Sequence, residues 1–391
     1  MKIKPRRRFL PIATAVFGKE EEEEIIDTLR SGWITLGPKT KKFEEDLAKY
    51  TGAKYAIALN SCSAALHLAM LAIGIKAGDE VITTPFTFAA TANAILHCGG
   101  KPVFADINPQ TFNIDPKEIE KKITKKTKAI LPVDYGGQPV DLDAVHQIAK
   151  KNKLFVVEDA AHAIGAKYKG KNIGILADIT CFSFHPVKNM TTGDGGAVTT
   201  SNQEFAEKIM MLRVNGMDKE SWKRNTSTGS WDYAISALGF KYHMNDLAAS
   251  LGIHQLRKLD RFRQIREEIA GTYDRELAGT PYITIPFKER DIQHAHNIYP
   301  ILIETKGLKI TRNEIIDKLK QFNIGSIVYF RPLHLQPYFQ ETLGCKAGDF
   351  PNAEYVFERL ICLPIYPGMT ATDAKFVAKT INTIIQDYLK S

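Results

Sequence analysis

Two rhythms of apolar residues alternate between position 54 and about position 200. Tyr55 to Leu59, Glu80 to Thr84, Pro102 to Ala105, Ala129 to Val133 and Leu154 to Glu158 are short β-rich runs that predict strands. Between them, Ala64 to Ile73, Ala89 to His97 and Leu142 to Lys151 place apolar residues at helical spacing. Strand–helix alternation of this kind predicts an α/β fold, with helices on both faces of a mostly parallel sheet. Cys181 to Phe184 and Ala197 to Thr200 add strands. A long helical pattern rich in Arg and Lys then runs from Met244 to about Leu277. Beyond Tyr282 the pattern gives a strand within Ile298 to Ile303, a helix from Arg312 to Gln321 and a last helix from Thr372 to Leu389. That mixture predicts a smaller α+β unit, so the chain divides into residues 1–255, with an N-terminal arm, and residues 256–391.

Composition agrees with a large domain carrying a smaller one: 391 residues, 44% hydrophobic and 25% charged. No internal period, low-complexity tract or long apolar run is present, which argues against repeat, disordered and membrane-spanning architectures. Arg6-Arg7-Arg8-Phe9-Leu10 imitates a twin-arginine export signal, but the apolar stretch after it stops at Gly18 and runs into Glu20 to Glu24. The expectation is a surface arm on a cytoplasmic protein. Five cysteines, with no C-x-x-C pair, fit reduced thiols better than a disulfide framework or a zinc site, and no metal is expected. The net charge of +8 is spread over short clusters without interleaved aromatics, a solvated face rather than a nucleic-acid surface.

In open α/β sheets ligands bind beyond the carboxyl ends of the strands, so polar residues there carry the argument. After the first strand, Asn60-Ser61-Cys62-Ser63-Ala64-Ala65 opens a helix; its free N–H groups make either a phosphate seat or an ordinary cap. Phe88, after the second strand, can stack on a flat ring or fill core. Asp159 follows the apolar run Leu154 to Glu158. A carboxylate there is costly unless paired, and a helix cap, a metal or a protonated pyridine nitrogen would each serve. Lys188 lies in Ser183-Phe184-His185-Pro186-Val187-Lys188-Asn189, ahead of the glycine-rich turn Gly193-Asp194-Gly195-Gly196. Alone it reads as a solvated loop lysine; with Asp159 on the preceding strand end it reads as an amine able to bond an aldehyde.

These segments resemble the sugar-nucleotide aminotransferases of the DegT/DnrJ type, within the aspartate-aminotransferase-like fold (PLP transferase fold type I, with a seven-stranded-type sheet). Further segments carry the resemblance along nearly the whole chain: Leu29 to Pro38, Glu158-Asp159-Ala160-Ala161-His162-Ala163, Leu238-Gly239-Phe240-Lys241-Tyr242 and Arg331-Pro332-Leu333-His334-Leu335-Gln336. The resemblance implies pyridoxal 5'-phosphate as cofactor, bonded as a Schiff base to Lys188, with Asp159 on its ring nitrogen and His162 near its hydroxyl side. Ser63, Ala64 and Ser183 would hold the phosphate and Phe88 would cover the ring. Lys241 would reach the cofactor phosphate in the neighbouring subunit, which implies a homodimer with shared sites. His243 is given no role.

The implied reaction moves an amino group from an amino acid, glutamate by resemblance, to a nucleotide-linked keto sugar, as in cell-surface polysaccharide or deoxyaminosugar biosynthesis. His162 with Lys241 resembles relatives acting at C4 of UDP-4-keto sugars. A dehydratase of the same family is the nearest rival, yet such relatives carry His in place of the lysine. A non-catalytic regulatory protein that binds the cofactor is the second. His294 and His296 alternate as paired metal ligands would, without a third ligand nearby, and read as structural or substrate-contacting; His334 reads equally as a site or a packed loop residue.

Overall fold

The computed structural model describes residues 3–217 and 232–389. In chain order the first part comprises α1 (Lys19–Ser31), α2 (Pro38–Thr51), β1 (Tyr55–Leu59), α3 (Cys62–Ala72), β2 (Glu80–Thr83), α4 (Ala89–His97), β3 (Lys101–Phe104), α5 (Pro116–Lys122), β4 (Thr127–Leu131), α6 (Leu142–Asn152) and β5 (Phe155–Asp159). A two-residue hairpin, β6 (Lys167–Tyr168) and β7 (Lys171–Asn172), precedes β8 (Ile179–Ser183), β9 (Gly196–Thr200) and α7 (Gln203–Leu212).

The main sheet has seven strands in the order β1-β9-β8-β5-β4-β2-β3. Pairing is parallel from β8 through β5, β4 and β2 to β3, while β9 runs against both its neighbours. A mostly parallel sheet covered on both faces needs strands apolar on both sides. β8 and β9 are buried at every position, and β4 at all but Lys128. One core, with Ile82, Ile130, Val156 and Phe182, also takes Leu256 and Leu259 of α8 (Asp246–Leu277); another, with Ile57, Val157, Cys181 and Val198, packs under α3 and α7.

α8 then carries the chain into a second core, where Ile269, Tyr273 and Leu277 meet a three-stranded sheet. That sheet is β10 (Ile283–Thr284), β12 (Tyr299–Ile303) and β13 (Leu360–Leu363), with β11 (Ile292–Gln293) pairing back onto the hairpin. Helices α9 (Arg312–Gln321), α10 (Pro337–Leu343), α11 (Pro351–Arg359) and α12 (Ala371–Asp387) complete it. The expected boundary at 255/256 falls inside α8, which is unbroken. The arginine-rich arm is ordered across this C-terminal core. Arg6 pairs with Asp373 at 2.6 Å, Leu10 bridges Ile324, and the Ile12 carbonyl accepts from Ile365.

The predicted strands of the main sheet are present with end shifts of up to two residues; Asp159, expected after its strand, is the last residue of β5. Helix α2 was not predicted. Its sequence is mostly charged, and only Phe43 and Leu47 supply a fully buried apolar stripe.

Candidate active site

Strand ends and helix starts converge on one cavity of about 340 Å³ at the carboxyl edge of the main sheet. Ser61, Cys62 and Ser63 reach it from the start of α3, Thr87, Phe88 and Thr91 from the start of α4, and Asp159, Ser183 and Lys188 from β5, β8 and the loop after β8. The arm contributes Ile12 and Ala13; the C-terminal region contributes Asn297, Tyr329, Phe330 and Ile365.

Asp159 is buried, and its placement follows from its neighbours. Thr91 Oγ1 donates to Oδ2 at 2.8 Å, and the Ala161 N–H donates to Oδ1 at 3.2 Å. Thr87 lies 2.8 Å from Thr91, so the two threonines, one helical turn apart, form a relay of hydroxyls onto the carboxylate. Burial pushes this carboxyl above its usual range, partly offset by those donors and by Lys188. Among the described residues no cationic side chain makes an ion pair with it. A carboxylate so supplied with donors yet lacking a cation fits a ligand that brings its own protonated nitrogen.

Lys188 keeps some surface on the cavity while its amine is packed round by protein. Burial lowers its pKa to about 8, against the opposing charge of Asp159. The loop holding it is fastened at both ends: the Phe184 N–H donates to Gly195 O and the Thr192 N–H to Phe184 O, and the Lys188 N–H closes a turn on His185 O. At Gly196 a Cβ would sit 2.5 Å from the backbone of Ser61 and Cys62, so glycine is what lets this loop lie against the start of α3.

His162 is buried and neutral, held well below its usual pKa mainly by burial. Its Nδ1 accepts from the Gly136 N–H at 3.2 Å, so the proton sits on Nε2, available as a donor. Phe330 stacks on its ring, centroids 6.0 Å apart. Phe88, 62% exposed, stands at the mouth. A helix start with hydroxyls, a carboxylate, an aromatic ring and an amine thus line one cavity, a set of groups suited to a flat phosphorylated pyridine.

Two expected residues stand apart. Ala64 is buried behind the lining, its N–H taken by Ser61 Oγ at 3.1 Å. Lys241 is exposed and does not line the cavity; its backbone bridges Val214 and accepts from Asn60. His334 is packed: fully buried, 2.9 Å from Glu354, against Phe350. His294 and His296 stack on each other, and no group of three metal-ligating side chains occurs among the described residues.

Sequence reasoning missed the layer beneath. Glu158, next to Asp159, and Asp134 are fully buried and near enough to shift each other's acidity. Each has one oxygen served by a donor, Thr180 Oγ1 at 2.9 Å and the Val140 N–H at 2.9 Å. The remaining oxygens, Glu158 Oε1 and Asp134 Oδ2, have no other donor. Burial raises both, Glu158 to about 7, so the pair holds a proton. The adjacent Glu-Asp at a strand end was the available signal.

Comparison with known proteins agrees with this geometry. The model of the DegT/DnrJ/EryC1/StrS aminotransferase family matches residues 16–382. The spore coat polysaccharide biosynthesis protein SpsC of Bacillus subtilis is 46% identical over 385 residues, 98% of this chain and 99% of that one. The putative sugar aminotransferase Spr1654 of Streptococcus pneumoniae, in its PMP form, superposes with a TM-score of 0.91 at 34% identity, over 97% of this chain and 99% of that one; it is also known in a PLP form. Helicobacter pylori PseC, an aminotransferase of pseudoaminic acid biosynthesis, gives 0.90 at 31% identity, over 97% of this chain and all of that one. The chain belongs to the DegT/DnrJ/EryC1/StrS aminotransferase family.

Proposed function

We propose that this sugar aminotransferase transfers an amino group from glutamate to a nucleotide-linked keto sugar, with C4 of a UDP-4-keto sugar as the position aminated. The observation that carries the reading is Lys188 and Asp159 facing one cavity, an amine of lowered pKa and a buried carboxylate without a cation. The preference for C4 rests on His162 occurring with Lys241, and the sugar class on relatives such as SpsC and PseC.

The cofactor is pyridoxal 5'-phosphate, which supplies an aldehyde to accept the amino group and a ring to take up electrons. In this reading Asp159 keeps the ring nitrogen protonated, and the Thr87–Thr91 relay fixes the carboxylate for that task. His162, with Nε2 free to donate, would hold the hydroxyl side of the cofactor ring. Ser63 and Ser183, with the first turn of α3, hold the phosphate. The Lys188 amine, neutral in a good fraction near pH 8, would take a proton from the donor carbon and return one to the sugar carbon. Phe88 covers the ring. Lys241, exposed and outside its own cavity, serves the site of a second copy, so the enzyme acts as a homodimer.

Purified enzyme given glutamate and a panel of UDP- and dTDP-linked keto sugars decides the substrate. Amination of a UDP-4-keto sugar with 2-oxoglutarate released supports the reading; turnover only with 3-keto sugars overturns the C4 assignment.

A further inference from the structure

Arg266 of α8 is 1% exposed and has no carboxylate partner among the described residues. Its guanidinium is spent on main-chain carbonyls from three separate segments. Nη2 donates to Lys188 O at 3.3 Å. Nη1 donates to Ile365 O at 2.7 Å and lies 3.4 and 3.5 Å from His296 O and Asn297 O. Nε has no partner. A buried cation without a counter-ion is costly, and burial alone lowers this guanidinium to about 9. Fold stability alone is poorly served by such a group, since an apolar residue on α8 would pack there without that cost.

What it joins is specific. Arg266 lies where α8 passes from the core that takes Leu259 to the core that takes Ile269. Asn297 and Ile365 line the same cavity as Lys188, and the Ile365 N–H in turn holds Ile12, another lining residue. Asn297 Nδ2 also reaches Val187 O at 3.3 Å. The planar fork of an arginine can serve several acceptors at fixed angles, which a lysine ammonium cannot.

We infer that Arg266 is a positioning residue: it fixes the main chain of Lys188 to the segments around Asn297 and Ile365 that line the same cavity, and so sets where the Lys188 amine meets the cofactor aldehyde. The inference rests on Lys188 being the cofactor lysine. Two forms of the cofactor separate the parts of the argument. Pyridoxal phosphate condenses with the Lys188 amine, with loss of water; pyridoxamine phosphate has no aldehyde and cannot. A group that only aims Lys188 therefore matters for the first form and not for the second.

The test measures dissociation constants of both forms for native enzyme, Lys188→Ala and Arg266→Lys, alongside melting temperature and the pH dependence of the visible absorption of bound pyridoxal phosphate. Arg266→Lys is expected to weaken pyridoxal phosphate binding by about tenfold, the worth of one charge-assisted hydrogen bond. It is expected to leave pyridoxamine phosphate within about twofold and to shift the pH midpoint of the absorption. Equal losses for both forms, or none for either, would overturn the positioning role. If Lys188→Ala shows no selective loss of the aldehyde form, it is the assignment of Lys188 that fails. Should Arg266→Lys not fold, Arg266→Gln, with neutral donors on a similar stem, takes its place. If neither variant folds, Arg266 is a folding requirement and the positioning role is refuted.

Discussion

The floor of the cavity and its rim are built on opposite terms. On the floor, Asp159, His162 and Ser183 are buried, and the first two have defined donors or acceptors from their own chain. On the rim, Ser63 is half-buried and Phe88 stands open; outside the cavity Lys241 is exposed, and a groove of about 500 Å³ that shares Asp194 with the cavity runs between Ile25, Leu29, Met244, Leu247 and Leu251. Ile34, Ile235 and Leu238 are exposed as well. A floor built from one chain would, on the proposed reading, account for cofactor binding and proton movement. A rim that leaves apolar surface and a cation outward is what a second copy would cover. On the proposed reading, the chemistry would belong to one subunit and the closure of the site to two.

Removing the amine should break the floor most severely. Lys188→Ala is expected to cut turnover by about a thousandfold or more, since nucleophile and proton carrier go together. Pyridoxamine phosphate should still bind, because the helix start and Asp159 remain. In the native enzyme, borohydride reduction should leave the cofactor mass on the peptide containing Lys188. A label on another lysine would show that the floor has been misassigned.

Asp159→Asn comes next. The amide keeps shape and the hydroxyl of Thr91 but removes the anion opposite the ring nitrogen. We expect kcat to fall by about a hundredfold, and cofactor affinity by about tenfold, the loss of one charge-assisted hydrogen bond. Unchanged kcat would reduce Asp159 to a structural role.

The rim is tested by mixing damaged subunits. In a Lys188→Ala/Lys241→Ala heterodimer, one site carries both lesions and the other neither, if Lys241 acts across the interface. Activity should recover to about half of wild type per heterodimer. A Lys241 serving its own subunit would leave a lesion in every site and give no recovery, and the closure of the site by two copies would be refuted.

How far the sequence reaches follows the same division. Asp159 and Lys188 could be placed at a strand end and ahead of a glycine turn from the pattern, while their roles, and His162 altogether, came from the resemblance. The main sheet was legible because its strands are apolar on both faces. Arg266 was not, because its partners are carbonyls of residues 188, 296, 297 and 365, and a carbonyl leaves no mark in a sequence. Ile12 and Ala13 were hidden for a related reason: nothing local tells an arm which surface it will cross. Asp134 was invisible as a partner of Glu158, because parallel neighbours are joined through a crossover, α6, and not through adjacent positions.

That hidden pair supports the smallest and most diagnostic prediction, which separates the support of the floor from its chemistry. Unfolded, both carboxyls titrate in the ordinary carboxylate range; folded, burial raises both, Glu158 to about 7 and Asp134 well above its usual range, where the neighbouring Glu158 charge adds to the rise. Between those limits the folded state binds more protons than the unfolded one, so this contribution to stability is full at low pH and is lost as pH rises through about 7. Glu158→Gln places an amide donor on Asp134 while its carbonyl still accepts from Thr180, so no proton is needed to join them. The melting temperature of the variant should therefore be flatter than that of the native protein between pH 5 and 7, and higher by a few degrees at pH 8, about 2–4 °C per kcal/mol for a domain of this size. Turnover should change far less than in Asp159→Asn. An unaltered pH slope would show that the pair carries no shared proton, and a loss of turnover matching Asp159→Asn would move Glu158 from the support into the chemistry.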